Sequence, residues 1–263
     1  MIIRISAFFA AVVSAAVITA VSPAAAQDQS LPEAGPLSPQ QRDLLRDEIR
    51  SYLLDNPEVI LEAIEVLETR RESAAAEADR DLVAAHAEQI YEDGFSYIAG
   101  NPEGDVTLVE FSDYRCGYCR QAHPQILELV ATDPDLRVII KEFPILGPDS
   151  VAVGRMALAA LEVDPSRYGA LNDALMSYPG NLTETTGYLV AKETGYDVTA
   201  LKEAAAQETV SSRLEANYAL AQTLGLQGTP SFILGGEIIR GFLPIEDMRD
   251  LVAAARNADA AAN

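Results

Sequence analysis

The chain has 263 residues, with 19 lysines and arginines against 40 aspartates and glutamates, a formal net charge of −21. So acidic a surface repels phosphate backbones and argues against a nucleic-acid partner. The chain has two cysteines, and a thiolate zinc site wants more ligands than that.

The N-terminal end reads as a leader. Arg4 is the only charge before Asp28, and the apolar run "AFFAAVVSAAVITAV" fills Ala7 to Val21. Ala24 and Ala26 then stand in A-x-A register, so residues 1–26 have the pattern of a cleaved secretory signal. A retained membrane anchor also fits the uncharged stretch from Ile5 to Gln27 by length. No later stretch approaches the roughly 18 consecutive apolar residues of a span. Loss of the leader removes Arg4 and makes the chain one charge more negative. Export matters for the cysteines, because disulfides persist outside the cytosol and are rare within it.

Residues 27–37, "QDQSLPEAGPL", are short and polar, with proline and glycine, and read as a linker. Ser38, Pro39 and Gln41 supply an N-cap, a first-turn proline and a capping-box partner. Leu44, Leu45, Ile49, Tyr52 and Leu53 follow at helical spacing. Asp55 to Pro57 end that helix and start another, with Val59, Ile60, Ala63, Ile64, Val66 and Leu67 as its apolar stripe. From Thr69 to Glu92 the composition turns polar, the pattern of a long helix with little to bury. Two short amphipathic helices and a polar stalk over residues 38–92 need a partner for their stripes. The expected partner is a second copy of the chain, making a homo-oligomer; packing onto the main domain is the alternative.

Residues 94–257 are long enough for one domain with a real core. "FSYIAG" and "VTLVEF" read as strands. "GYCRQAHPQILELVAT" reads as a helix that opens inside the cysteine motif. "LRVIIKEFPIL" is a further strand, ended by Pro144. Residues 149–224 read as wholly helical, broken at Asp164-Pro165, Pro179-Gly180 and Gly195. "PSFIL", the Gly235-Gly236 turn and "EIIRGF" read as a hairpin. A last helix runs from about Pro244 to Arg256, and residues 258–263 are expected to be a disordered tail. The order predicts an α/β fold: a mixed central sheet covered by helices, with an inserted helical subdomain and an N-terminal helical segment.

Both cysteines lie in "FSDYRCGYCRQAH", Cys116 and Cys119 two residues apart. Cys116 follows a strand and opens a helix, where backbone N–H groups and the helix dipole favour a thiolate. Cys119, one turn deeper, suits the resolving thiol. Gly117 and Tyr118 between them are uncharged. Arg115 and Arg120 either add positive charge at the thiols or are ordinary surface arginines. Glu110 sits in an apolar strand leading to the motif, where a carboxyl has a raised pKa and can take the Cys119 proton. An exposed edge glutamate is the alternative.

Cys116, Cys119 and His123 are the possible ligands of a metal. There is no third cysteine, and His86 is far along the chain, so no metal site is assigned. Copper(I) on two thiolates is a softer possibility. A static C-x-x-C disulfide closes too small a loop to stabilise much, which favours chemistry over a staple. Pro124 is expected to kink the helix.

"LGLQGTPSFILGGEIIRGF" runs from Leu224 to Phe242. Thr229-Pro230 opens its apolar strand; alone, the stretch fits a trans or a cis bond. Together the two stretches resemble the thioredoxin superfamily, and within it the DsbA-like exported thiol–disulfide oxidoreductases. "KEFPILGPDS" from Lys141 to Ser150 is similar to that branch's strand and entry to its insertion. The resemblance spans about Phe95 to Arg256. It implies a thioredoxin fold with Cys116 as nucleophile, Cys119 as resolving thiol, Glu110 as buried acid and Pro230 as cis-proline. It also implies that Thr229, Pro230, Gly117 and Tyr118 face the substrate. No cofactor is implied beyond a redox-active Cys116–Cys119 disulfide.

The Gly-Tyr dipeptide and Thr229 resemble disulfide isomerases of the DsbC type more than DsbA oxidases. The N-terminal helices resemble the oligomerisation segment of ScsC-type proteins, some of which are trimeric isomerases linked to copper tolerance. The implied function is a periplasmic disulfide isomerase or reductase acting on wrongly oxidised exported proteins, with a membrane protein as electron donor. A net oxidase and a copper(I)-binding protein are the alternatives.

Overall fold

The computed structural model describes residues 36–262; the leader and most of the linker lie outside them. The chain divides into two compact units, Met1–Leu61 and Glu62–Asn263. In the first, α1 spans Pro39–Asp55 and opens on the expected capping box, Ser38 with Gln41. No residue of α1 is buried.

α2, Glu58–Ala85, carries the chain into the second unit, and α3 is Ala87–Tyr91. The polar segment was expected to have little to bury. Its C-terminal end differs: Val83 and Ile90 are 3% and 0% exposed and pack with Val109, Phe111 and Leu220. The Asp79 carboxylate accepts a pair of hydrogen bonds from the Arg240 guanidinium. One apolar residue per few turns was too sparse to register as a stripe, yet it anchors this end.

Among the described residues one five-stranded sheet has the order β1-β3-β2-β4-β5. The strands are β1 Tyr97–Gly100, β2 Val106–Ser112, β3 Leu136–Glu142, β4 Ser231–Leu234 and β5 Glu237–Arg240. β2 and β3 are parallel, joined through α4, Gly117–Thr132; the other pairings are antiparallel. β1 and β3 are shorter than the apolar runs that announced them. Gly235 and Gly236, φ 57° and 79°, supply the two left-handed residues of the tight hairpin turn.

Alternation along β2 and β3 sorts their side chains. Val106, Leu108, Leu136, Val138 and Ile140 pack with Ile126 and Leu129 of α4 and with Met248 and Val252 of α10, Ile245–Ala262. Val109, Phe111 and Ile139 pack on the other face with Leu220 and Leu224. Period-two geometry therefore puts Glu110 and Glu142 on the α4 face and Lys141 on the opposite one. Lys141 is fully buried there, donating to the Gln89 carbonyl at 2.9 Å and to Asp93 at 2.5 Å.

The inserted block comprises α5 Pro148–Val163, α6 Tyr168–Ser177, α7 Glu184–Glu193, α8 Val198–Ala205 and α9 Glu208–Thr223. It has its own core around Met156, Leu158, Leu171, Leu175 and Leu201. α10 runs past Arg256 to Ala262, a correction to the expected tail. Alanine has the highest helix propensity, which lets the helix run on. Pro124 lies inside α4. Among the described residues no helix is long and apolar enough to cross a membrane.

Candidate active site

β2 delivers the chain to a tight loop, and α4 starts from it. Asp113 ties that loop down. Its Oδ2 accepts from the backbone N–H of Ile145 and Leu146, and its Oδ1 from Arg115 N–H and the Ser150 hydroxyl. Cys116 is the N-cap of α4, with extended backbone at φ −76° and ψ 121°.

The cysteines are free thiols, and Cys116 is 8% exposed against 0% for Cys119. The Cys116 pKa falls to about 5. Hydrogen bonding from the Cys119 thiol lowers it most; the N–H groups of Cys119 and Tyr118 add to this against the opposing effect of burial. The N–H groups of the helix N-terminus contribute, but less than the Cys119 thiol, which takes the leading part expected of them. The arginines do not carry the effect: Arg120 Nε donates to the Met176 carbonyl at 2.8 Å. The Cys119 thiol is driven the other way, by its bond to Cys116, by burial and by the charge of Glu110. The pair is polarised into one thiolate and one held proton.

Glu110 is 1% exposed. Burial raises its pKa to about 7, against a hydrogen bond from the Ser112 hydroxyl at 3.0 Å; the charge of Cys116 adds to the rise. An acid poised there exchanges protons at neutral pH.

Thr229 and Pro230 meet the motif from the far end of the chain. The Cys116 thiol donates to the Thr229 carbonyl at 3.1 Å, and Thr229-Pro230 is cis. Gly117 and Tyr118 are exposed, and a Cβ on Gly117 would meet nothing within 4 Å. The Tyr118 ring lies 6.2 Å from that of Phe242, just after β5. A hollow of about 320 Å³ opens beside Gly228, Thr229 and Pro230. The structure thus brings all seven expected residues into two adjoining segments. His123 turns away: it pairs with Asp173 of α6 at 3.0 Å, and burial lowers its pKa.

Sequence reasoning missed a second buried acid. Glu142 Oε1 accepts from the hydroxyls of Tyr114, at 2.7 Å, and Tyr168, at 2.6 Å. Burial raises Glu142 to about 8 despite those two bonds; the charges of Asp113 and Glu110 add to the rise. Tyr114 is in the motif loop, Glu142 in β3 and Tyr168 in α6, so one oxygen joins three parts of the fold. The only signal was the position of Glu142, on the same strand face as apolar neighbours.

Two family models match. "Thioredoxin" covers residues 92–254, and "Copper resistance protein ScsC N-terminal domain" covers residues 41–74. A thioredoxin-like oxidoreductase from Silicibacter pomeroyi is 39% identical, over 65% of this chain and 97% of its own, with TM-score 0.62. A periplasmic thioredoxin-like protein from Salmonella enterica serovar Typhimurium is 31% identical, over 65% and 95%, with TM-score 0.60. ScsC of Proteus mirabilis, in a transitional conformation, is 28% identical over 84% and 100%, with TM-score 0.63. The chain spans about a quarter of the length of the first curated relatives it matches, such as the Na(+)/H(+) antiporter NhaA 1 of Salinispora arenicola, 26% identical over 24% of that protein. The chain has the thioredoxin fold and belongs to the thioredoxin family, within its DsbA-like, ScsC-type branch.

Proposed function

We propose that this is an exported thiol:disulfide interchange protein, which isomerises or reduces wrong disulfides in other exported proteins. The observation that carries this reading is the polarised pair: Cys116 lowered to about 5 at a helix N-cap, over a buried Cys119 that keeps its proton. The periplasm is the compartment this reading takes, supported by the leader pattern of residues 1–26 and by the periplasmic Salmonella neighbour.

The Cys116 thiolate attacks one sulfur of a substrate disulfide. That bond breaks, a Cys116–substrate disulfide forms, and the second substrate sulfur leaves as a thiolate. In isomerisation another substrate thiolate attacks the bridged substrate sulfur and releases Cys116 unchanged. In net reduction Cys119 gives its proton to Glu110 and attacks Cys116 Sγ. The substrate leaves as a dithiol with two electrons, and the protein keeps a Cys116–Cys119 disulfide for a membrane electron donor to reduce. Thr229, Pro230, Gly117 and Tyr118 face the substrate chain in this reading.

Self-association through residues 38–92, as a trimer by analogy with the ScsC branch, accompanies isomerisation, since several thiols then surround one substrate. The exposed Leu44, Leu45, Ile49, Ile60, Ile64 and Leu67 support it. The test is capture: a Cys119→Ser variant should hold exported proteins as mixed disulfides that a reductant releases. Absence of any adduct would contradict the reading.

A net oxidase is the second reading. A low Cys116 pKa favours it, because a stabilised reduced form makes its disulfide a stronger oxidant. Copper(I) binding is the third, supported by the matched copper resistance model. Copper(I) titration against Cys116→Ser separates it; weak, non-stoichiometric uptake removes it.

A further inference from the structure

In a chain of net charge −21, the hollow beside the motif is positively lined. It holds about 230 Å³ between the motif and the helical insertion, bounded by Arg115, Arg120, Leu146, Gly180, Asn181 and Leu182. Arg115 makes two long hydrogen bonds, to the Leu146 carbonyl and to Asn181 Oδ1, each at 3.4 Å, and a loose ion pair with the half-exposed Asp149 at 3.8 Å. Arg120 spends Nε on the Met176 carbonyl, and its two terminal nitrogens find no partner among the described residues.

We infer that Arg115 and Arg120 form a carboxylate subsite next to Cys116, which selects disulfide substrates bearing an acidic group close to the attacked sulfur. The inference rests on the exchange reading above and adds a specificity to it. Arg115 adjoins Cys116, and Arg120 lies about one helical turn, roughly 5.4 Å, beyond it. An extended peptide advances about 3.3 Å per residue, so a side chain one or two residues from the substrate cysteine reaches the hollow. Arg120, whose one partner among the described residues is a carbonyl, and Arg115, held only by long contacts, bind a carboxylate through charge-assisted bonds shorter and stronger than those they now make. The carboxylate has two sources: an aspartate or glutamate of a substrate protein, or a small acidic peptide such as glutathione.

The test is the rate of exchange of the reduced protein with three peptide disulfides, identical except for Asp, Asn or Lys two residues from the cysteine. Oxidised glutathione and neutral hydroxyethyl disulfide complete the set. At low salt the Asp peptide should react about five- to ten-fold faster than the Asn peptide, with Lys slowest. Arg115→Gln and Arg120→Gln together should shrink that preference to about two-fold or less, while Arg115→Lys and Arg120→Lys keep most of it. A gain for glutathione alone supports the subsite and identifies the small peptide as its source. No preference in the parent protein, or equal slowing of all three peptides in the Gln variants, overturns it. So does a shifted pH profile of Cys116 alkylation in those variants, which would mean that the arginines act on the thiolate. No reaction with hydroxyethyl disulfide overturns the exchange reading and the subsite together; reaction with it but no preference overturns the subsite alone.

Discussion

The Cys116 thiol donates to the Thr229 carbonyl oxygen across 3.1 Å, from 113 residues away in sequence. Only the protonated sulfur can do this. Once Cys116 ionises, that bond is lost and the Thr229 carbonyl is left without this donor. Under the exchange function proposed above, it would then accept from the backbone N–H of an extended substrate, as a strand edge captures a peptide.

The first prediction concerns that ionisation. Alkylation of the reduced protein by iodoacetamide should follow a titration with a midpoint near pH 5 and be flat through neutrality. The pKa is depressed on folding, so the thiolate contributes stability to the reduced form above the ordinary thiol pKa. That contribution is lost as pH falls through about 5. The Tm advantage of reduced over oxidised protein should shrink between pH 7 and 4. A midpoint near the ordinary thiol value of about 8.5 would contradict the polarised pair.

Glu110 has the opposite sign. Its pKa rises from 4.5 to about 7 on folding, so stability is full below pH 4.5 and is lost as pH rises through 7. Glu110→Gln keeps an acceptor for Ser112 and removes the charge. It should stabilise the protein at pH 8 by about 1–3 kcal/mol and leave it unchanged at pH 4. Resolution by Cys119 should slow about ten-fold or more, seen as longer-lived mixed disulfides. A variant no more stable at pH 8 would place Glu110 in contact with solvent.

On the opposite sheet face, Lys141 depends on Asp93. Burial raises the Asp93 carboxyl, but the charge and hydrogen bond of Lys141 hold it below its ordinary value. Asp93→Asn leaves a buried ammonium without its counter-charge and should destabilise by about 3 kcal/mol at pH 7, measured by urea unfolding. The pair's contribution is present above the ordinary carboxylate pKa of 3.8 and is lost as pH falls below it.

Self-association predicts a mass effect. Replacing Leu45 and Ile49, both exposed on α1, by aspartate should turn an oligomer into a monomer in sedimentation. The thiol pKa should not change. An unaltered mass would mean that this stripe does not join copies of the chain.

Local chemistry was legible in the sequence. Cys116 at a strand-to-helix junction, Glu110 in an apolar strand and Gly-Gly in a hairpin each act through neighbours a few residues away. Thr229-Pro230 became legible only beside the cysteine motif, because its partner is remote. The Tyr114–Glu142–Tyr168 cluster was invisible: its hydrogen bonds span 26 to 54 residues, and no spacing encodes them. The burial of Lys141 was invisible for the same reason, since its partners Gln89 and Asp93 lie 52 and 48 residues away. The docking of Val83 and Ile90 was hidden by the polar residues around them.

The most direct test is reactivation of scrambled ribonuclease by the reduced, leader-free protein, with Cys116→Ser in parallel. We expect recovery of activity that depends on Cys116. Recovery that survives Cys116→Ser would contradict the account, as would none at all while Cys116 exchanges freely with small disulfides.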